Sequence, residues 1–200
     1  MLFRSATNGR WIALQPGARW RNKRWPAESF AVTASILAKR IPGARFVVLG
    51  GGNECDLAAA VADGLPDRAL NLAGKTNLSE TVEWLRACDV LVTNDTGPMH
   101  IAAALGKPVV ALFGPTNERR TGPYGQLSSV IRAPMDCAPC MKESCNQPIY
   151  AACLKAIPPE LAAERVIAAL SYPQISSESA AVDARISTMA TDLKPSRMGS

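Results

Sequence analysis

The one histidine of this 200-residue chain, His100, closely follows an acidic-polar turn, Asn94-Asp95-Thr96-Gly97. An apolar strand, Asp89 to Thr93, leads into the turn, and a helix of small residues follows it. A second apolar strand, Pro108 to Phe113, then ends in Gly114-Pro115. Strand, tight turn and helix in that order make an anion site, because the first N–H groups of a helix have no partner within it and point outward. Unpaired N–H groups at Thr96 and Gly97 favour a diphosphate, with the helix dipole alone contributing about 0.3–2 kcal/mol. Asp95 is placed to cap that helix, or to accept hydrogen bonds from a ligand's hydroxyls. Pro98 falls in the first turn, where a missing N–H costs nothing, and Gly97 lets a ligand approach the backbone. His100 can donate to a phosphate, although a lone histidine also serves as an ordinary structural residue.

Cations gather elsewhere. Arg19, Arg21, Lys23 and Arg24 fall within six residues, with Arg4 and Arg10 upstream, in a chain of formal net charge +5. The cluster suits a phosphate-bearing small ligand or an anionic lipid surface as well as it suits plain solvated charge. Nucleic acid is disfavoured, because no base-stacking aromatics interleave with the cations beyond Trp20 and Trp25. Trp25 and Pro26 read as the fixed start of a helix. Glu54 follows Gly50-Gly51-Gly52 at the end of a strand, but this is not a complete dinucleotide fingerprint, so a surface acid is the alternative. Lys75 reaches a phosphate or is simply solvated.

The spacing Cys137-x2-Cys140-x4-Cys145-x7-Cys153 brings four thiols into one irregular segment. Such a set could hold a structural Zn²⁺ tetrahedrally, form disulfides or remain as reduced thiols. Its spacing suits a single-loop metal site less well than paired CxxC knuckles do. Cys55 and Cys88, on predicted helices, read as small buried apolar residues.

The elements that must position these groups alternate between strand and helix, which predicts an α/β fold: a Rossmann-like parallel sheet with helices on both faces. Predicted strands are Trp11–Gln15, Arg45–Gly50, Ala69–Leu72, Val90–Thr93 and Val109–Phe113, with a weaker one near Ser129–Arg132. Their short, nearly continuous apolar runs suit strands covered on both faces. Predicted helices begin at Pro26 (apolar stripe Phe30, Ala34, Leu37, Ile41) and cover Glu54–Asp63, a segment from after Asn77 to about Ala87, and Thr96–Leu105. The last runs from about Pro159 to Leu170, with Leu161, Val166 and Ile167 facing the sheet. In such sheets ligands sit at the carboxyl ends of the strands. The loops 15–25, 50–54, 72–78 and 93–100 leave those ends, and all four carry polar groups.

Hydrophobic content of 48% with 20% charged residues describes a globular chain. The expected organisation is a linker remnant over 1–10, one domain over 11–172, and a disordered polar tail over 173–200. MLFRSATNGRW contains no apolar run suited to a signal peptide, and no stretch approaches a membrane span, so the expected location is cytoplasmic.

NDTGPMHIAAALGKPVVALFGPTNERRTGP (94–123) resembles the signature of family 9 glycosyltransferases, the ADP-heptose:lipopolysaccharide heptosyltransferases. PGARWRNKRWP (16–26), LAGKTNLSE (72–80) and CAPCMKESCNQPIYAACLKAIPPE (137–160) are similar to further blocks of that family in the same order, covering roughly residues 11–170. The resemblance implies the C-terminal, nucleotide-sugar-binding half of a GT-B fold and an inverting transfer. It assigns Lys23 to neutralising the diphosphate leaving group, assisted by Arg19 and Arg24. Glu54 would take the ribose hydroxyls, and the backbone at Thr76 would read the adenine edge. Asp95, Thr96, Gly97 and His100 would contact the phosphates and sugar. The implied partners are ADP-heptose and, through a missing N-terminal domain that carries the general base, a lipopolysaccharide core acceptor. Peripheral contact with the inner face of the inner membrane is also implied. No cofactor is required. Other readings are a GT-B enzyme using another nucleotide sugar, and a non-catalytic nucleotide-sugar-binding module or truncated relic.

Overall fold

The computed structural model describes residues 9–65 and 67–171. The first eight residues of the expected linker, and the expected tail, lie outside the described residues. Six strands form one parallel sheet: β1 (Trp11–Gln15), β2 (Arg45–Val48), β3 (Ala69–Asn71), β4 (Val90–Asn94), β5 (Val109–Phe113) and β6 (Val130–Arg132). Their spatial order is β3-β2-β1-β4-β5-β6, with every neighbouring pair parallel. Helices fill the connections: α1 (Ala27–Arg40), α2 (Cys55–Ala62), α3 (Leu78–Ala87), α4 (Gly97–Ala104), α5 (Glu118–Thr121), α6 (Ala152–Lys155) and α7 (Pro159–Ser171).

The pleat sends alternate residues to opposite faces, and each face has its own core. Ile12, Leu14, Phe46, Val48, Val90, Val92, Val110, Leu112 and Ile131 meet α1, α2 and α7 on one side. Ala13, Val47, Leu91, Val109, Ala111 and Phe113 meet α3 and α4 on the other. This is why the strands read as continuous apolar runs rather than alternating ones.

Helix ends follow their caps. At α3 the Asn77 side chain accepts from the Glu80 N–H at 3.0 Å, while the Glu80 carboxylate accepts from the Asn77 N–H at 2.8 Å, a reciprocal capping box. At α1, Trp25 locks the start: its ring meets Phe30 edge-on at 5.1 Å, and its indole N–H donates to the Ile157 carbonyl at 3.2 Å.

Two expectations about packing differ from the structure. Leu161 does not face the sheet but is exposed, because α7 buries Ala162, Ala163 and Val166, small side chains that let it lie close to α1. Cys55 is exposed at the start of α2, where its thiol reaches the Ala73 carbonyl instead of the core. Cys88 is buried as expected, and burial, aided by the neighbouring Asp89 carboxylate, pushes its thiol up to about 12. The short helices α5 and α6 lack the length for a periodic signal, and the sequence reading did not find them.

Candidate functional site

Strand order reverses between β1 and β4, and the crevice outside their carboxyl ends is where an open parallel sheet takes a ligand. A cleft of about 610 Å³ lies there. Its lining includes Arg19, Lys23, Glu54, Thr76, Asp95, Thr96, Gly97 and His100. All eight residues expected at the nucleotide-sugar site therefore share one cavity, although they come from four separate loops.

The centre of the cleft is an ion pair. Lys23, in a 3-10 turn over Arg21–Lys23, donates from Nζ to Asp95 Oδ2 at 2.7 Å, with only 17% and 6% of the two side chains exposed. The ammonium also lies 4.5 Å from the centre of the Trp20 ring, a cation–π contact that further fixes it. The Thr121 hydroxyl donates to the same Asp95 oxygen at 3.3 Å. Asp95 is consequently not the helix cap. Thr96 takes that position, and no side chain caps the first turn of α4. A carboxylate gains more from a nearby ammonium than from a peptide N–H, and the charge-assisted bond wins. The result leaves the helix start open toward the cleft, with Pro98 in its first turn. His100 is exposed on the same side.

Glu54 is oriented by several longer contacts. One carboxylate oxygen accepts from the Gly51 N–H at 3.0 Å and from the Gln15 amide at 3.4 Å. The other lies 3.9 Å from the Arg24 guanidinium. Arg24 is therefore turned to Glu54, and to the Ala18 carbonyl at 2.8 Å, rather than assisting Lys23. Gly17 makes this possible: a Cβ there would fall 2.0 Å from the Glu54 carboxyl carbon. Lys75 donates to the Asn71 carbonyl at 3.0 Å and does not line the cleft.

Several positioning residues escaped the sequence reading. Asn94, buried at the end of β4, accepts from the Trp25 N–H at 3.0 Å and donates to the Pro16 carbonyl at 2.8 Å. It thereby ties the cation loop to the strand that carries Asp95. Trp20, Thr121 and Gln15 have comparable parts. A polar residue ending a parallel strand was the one signal available for Asn94; the others contact the site only through the fold.

The four clustered cysteines line a second cavity of about 310 Å³ together with Asn22, Pro115 and residues of the 138–152 segment. All six cysteines are free thiols. Burial pushes the Cys153 thiol up, opposed by a hydrogen bond to the Leu154 backbone, and the charges of Cys137, Cys145 and Cys140 raise it further. Among the described residues no three Cys, His, Asp or Glu side chains come together as a metal site. The zinc alternative for Cys137, Cys140, Cys145 and Cys153 therefore finds no converged ligand set among the described residues: the thiols are spread around a cavity. Met141 and Ala151 adopt positive φ values of 56° and 53°, and these left-handed residues bend the segment around that space.

A doubly wound α/β domain with a charge-paired cleft at its switch point has the arrangement in which open parallel sheets take their ligands. Residues 3–151 match the family described as Glycosyltransferase family 9 (heptosyltransferase), and the chain belongs to that family. Among its relatives, lipooligosaccharide heptosyltransferase 2 of Haemophilus influenzae is 37% identical over 126 residues, which cover 60% of this chain and 36% of that protein. The Campylobacter jejuni protein of the same name is 32% identical over 161 residues, covering 78% and 50%. The structure of E. coli ADP-heptose lps heptosyltransferase II superposes with a TM-score of 0.68 at 31% identity, over 80% of this chain and 46% of that one. The chain spans between about a third and a half of the length of these relatives. No helix among the described residues is long and apolar enough to cross a membrane.

Proposed function

We propose that this chain is the donor-binding half of an inverting heptosyltransferase and takes an ADP-activated heptose destined for the lipopolysaccharide inner core. The observation that carries the reading is the Lys23–Asp95 pair, 2.7 Å apart, beside the uncapped start of α4 in a chain of family 9. Lys23 and the α4 backbone face the diphosphate, and Arg19 and His100 supply further donors. As the bond from the anomeric carbon to the phosphate oxygen breaks, negative charge grows on that oxygen, and a pre-placed ammonium stabilises it without reorganising. Asp95 accepts from sugar hydroxyls. Glu54, already oriented by Gly51, Gln15 and Arg24, accepts the two ribose hydroxyls. The Thr76 backbone meets the adenine edge.

Displacement at the anomeric carbon also needs a general base to take the acceptor's proton on the opposite face. On this reading the base belongs to the acceptor half of the family's fold, and these 200 residues alone are expected to bind donor and transfer little or none. Calorimetry with ADP, UDP and ADP-heptose tests the binding reading: ADP and ADP-heptose bind, and UDP binds weakly. Equal affinity for UDP overturns the adenine assignment, and no affinity for any of the three overturns the reading as a whole. Consumption of ADP-heptose by the isolated chain with a lipid A–Kdo acceptor overturns the proposed division of labour. Location at the cytoplasmic face of the inner membrane follows from the same reading, with the relatives' lipopolysaccharide acceptors as its support.

A further inference from the structure

The turn Arg21–Lys23 stands between the two cavities. Lys23 lines the donor cleft, while its neighbour Asn22 lines the thiol cavity. Asn22 is only 1% exposed. Its Nδ2 donates to the Lys142 carbonyl at 2.9 Å, bridging 120 positions of sequence. Its Oδ1 is buried without a hydrogen-bond partner. The carbonyl of Lys142 fixes the orientation of the amide, because a flip would set oxygen against oxygen. The same cysteine-rich segment is tied back to the sheet one residue earlier, where the Met141 N–H donates to the Pro115 carbonyl at 2.8 Å. At the other end of the segment Gly114 leaves room for it: a Cβ there would fall 2.8 Å from the Cys153 sulfur. Within the turn, the Lys23 N–H donates to the Trp20 carbonyl at 3.1 Å and the Arg24 N–H to the Arg21 carbonyl at 3.2 Å, and neither bond fixes the turn against the rest of the fold.

We propose that Asn22 is a positioning residue: by docking the cation turn on the cysteine-rich segment it sets the place of Lys23 in the donor cleft, so that the two cavities are energetically coupled. This rests on the donor-binding reading above, and it gives the cysteine segment a part in the site that needs neither a metal nor a disulfide. Asn22 touches no donor atom itself. Its effect therefore falls on whatever Lys23 recognises, the diphosphate, and spares the nucleoside held by Glu54 and the 72–78 loop.

The test compares ADP with adenosine on the full chain. Asn22→Asp sets a carboxylate against the Lys142 carbonyl. It is expected to weaken ADP by about tenfold, with adenosine changing less than about twofold. Equal losses for the two ligands, or no loss for ADP, overturn the proposal. Thiol reactivity of the unaltered chain gives a second readout that holds even if the variant does not fold. Because coupling is reciprocal, saturating ADP should slow iodoacetamide labelling of Cys137, Cys140 and Cys145, which it does not touch, and adenosine should not. Labelling rates indifferent to ADP overturn the proposal. Failure of the unaltered chain to bind either ligand overturns the donor-binding reading and this inference with it, whereas tight ADP binding that depends on Lys23 but not on Asn22 overturns this inference alone.

Discussion

The switch-point cleft and the thiol cavity lie on either side of one turn, yet they are built in different ways. The cleft is made by short loops leaving consecutive strand ends, each anchored by the sheet within a few residues. Its side chains are paired in advance: Lys23 with Asp95, Glu54 with Gly51, Gln15 and Arg24. The thiol cavity is enclosed by a long irregular segment held mainly through backbone groups, such as the Met141 N–H and the Lys142 carbonyl. Where chemistry depends on placing charges, the fold supplies a rigid platform. The irregular segment meets that platform through Asn22, whose amide docks the turn carrying Lys23 on the Lys142 carbonyl.

Trp25 joins the two regions, its backbone N–H donating to Asn94 on the cleft side and its indole N–H to Ile157 beyond the cysteines. Truncating the side chain keeps the first bond but removes the second together with a fully buried ring, and should give the largest effect. Trp25→Ala is expected to cost about 3–5 kcal/mol of stability, measured by urea denaturation. A loss near 1 kcal/mol would show the two regions to be independent. Next, Lys23→Ala removes a charged hydrogen bond from a largely buried carboxylate. It should weaken ADP by roughly 1.5–3 kcal/mol in calorimetry while adenosine binding holds, and equal losses would remove Lys23 from the phosphate site. Gly17→Ala forces Glu54 aside and should weaken adenosine and ADP alike, the complementary pattern. A selective loss of ADP would move Glu54 out of the nucleoside subsite.

A separate effect concerns pH and neither region. Cys88 has its thiol raised to about 12 in the fold, above its ordinary value. The folded state therefore keeps a proton that the unfolded chain releases as pH rises past about 8.5. The corresponding stability is fully present below that value and declines toward pH 12 by up to about 1.4 kcal/mol per unit. Urea midpoints across pH 8–11 should fall less steeply for Cys88→Ala than for the unaltered chain; parallel slopes would assign the alkaline loss to other groups.

The six strands and five longer helices were legible because each carries its own period or cap. Trp11–Gln15 and Val109–Phe113 agree residue for residue, and the others shift by one or two residues at an end. The cleft's polar residues were legible from their places at strand ends. What was not legible is which partner each would choose. Asp95 reads as a cap from its neighbours, and only the fold brings an ammonium from 72 positions away within 2.7 Å. Arg24 reads as one more cation until Glu54 is set beside it. The thiols show why spacing alone misleads: four sulfurs close in sequence line one space without meeting, because the backbone between them bends around that space, with left-handed residues at Met141 and Ala151.

An ammonium that already owns a counter-ion is not a bare electrostatic hook. Any phosphate arriving at Lys23 must share it with Asp95 or drive that carboxylate off, and a displaced carboxylate in so dry a setting demands compensation. Hydroxyl groups delivered on the same molecule can provide it. On the donor-binding reading, a nucleotide that carries its sugar offers Asp95 hydroxyl donors that ADP lacks at that place, so the resting pair should favour the complete donor over ADP in affinity.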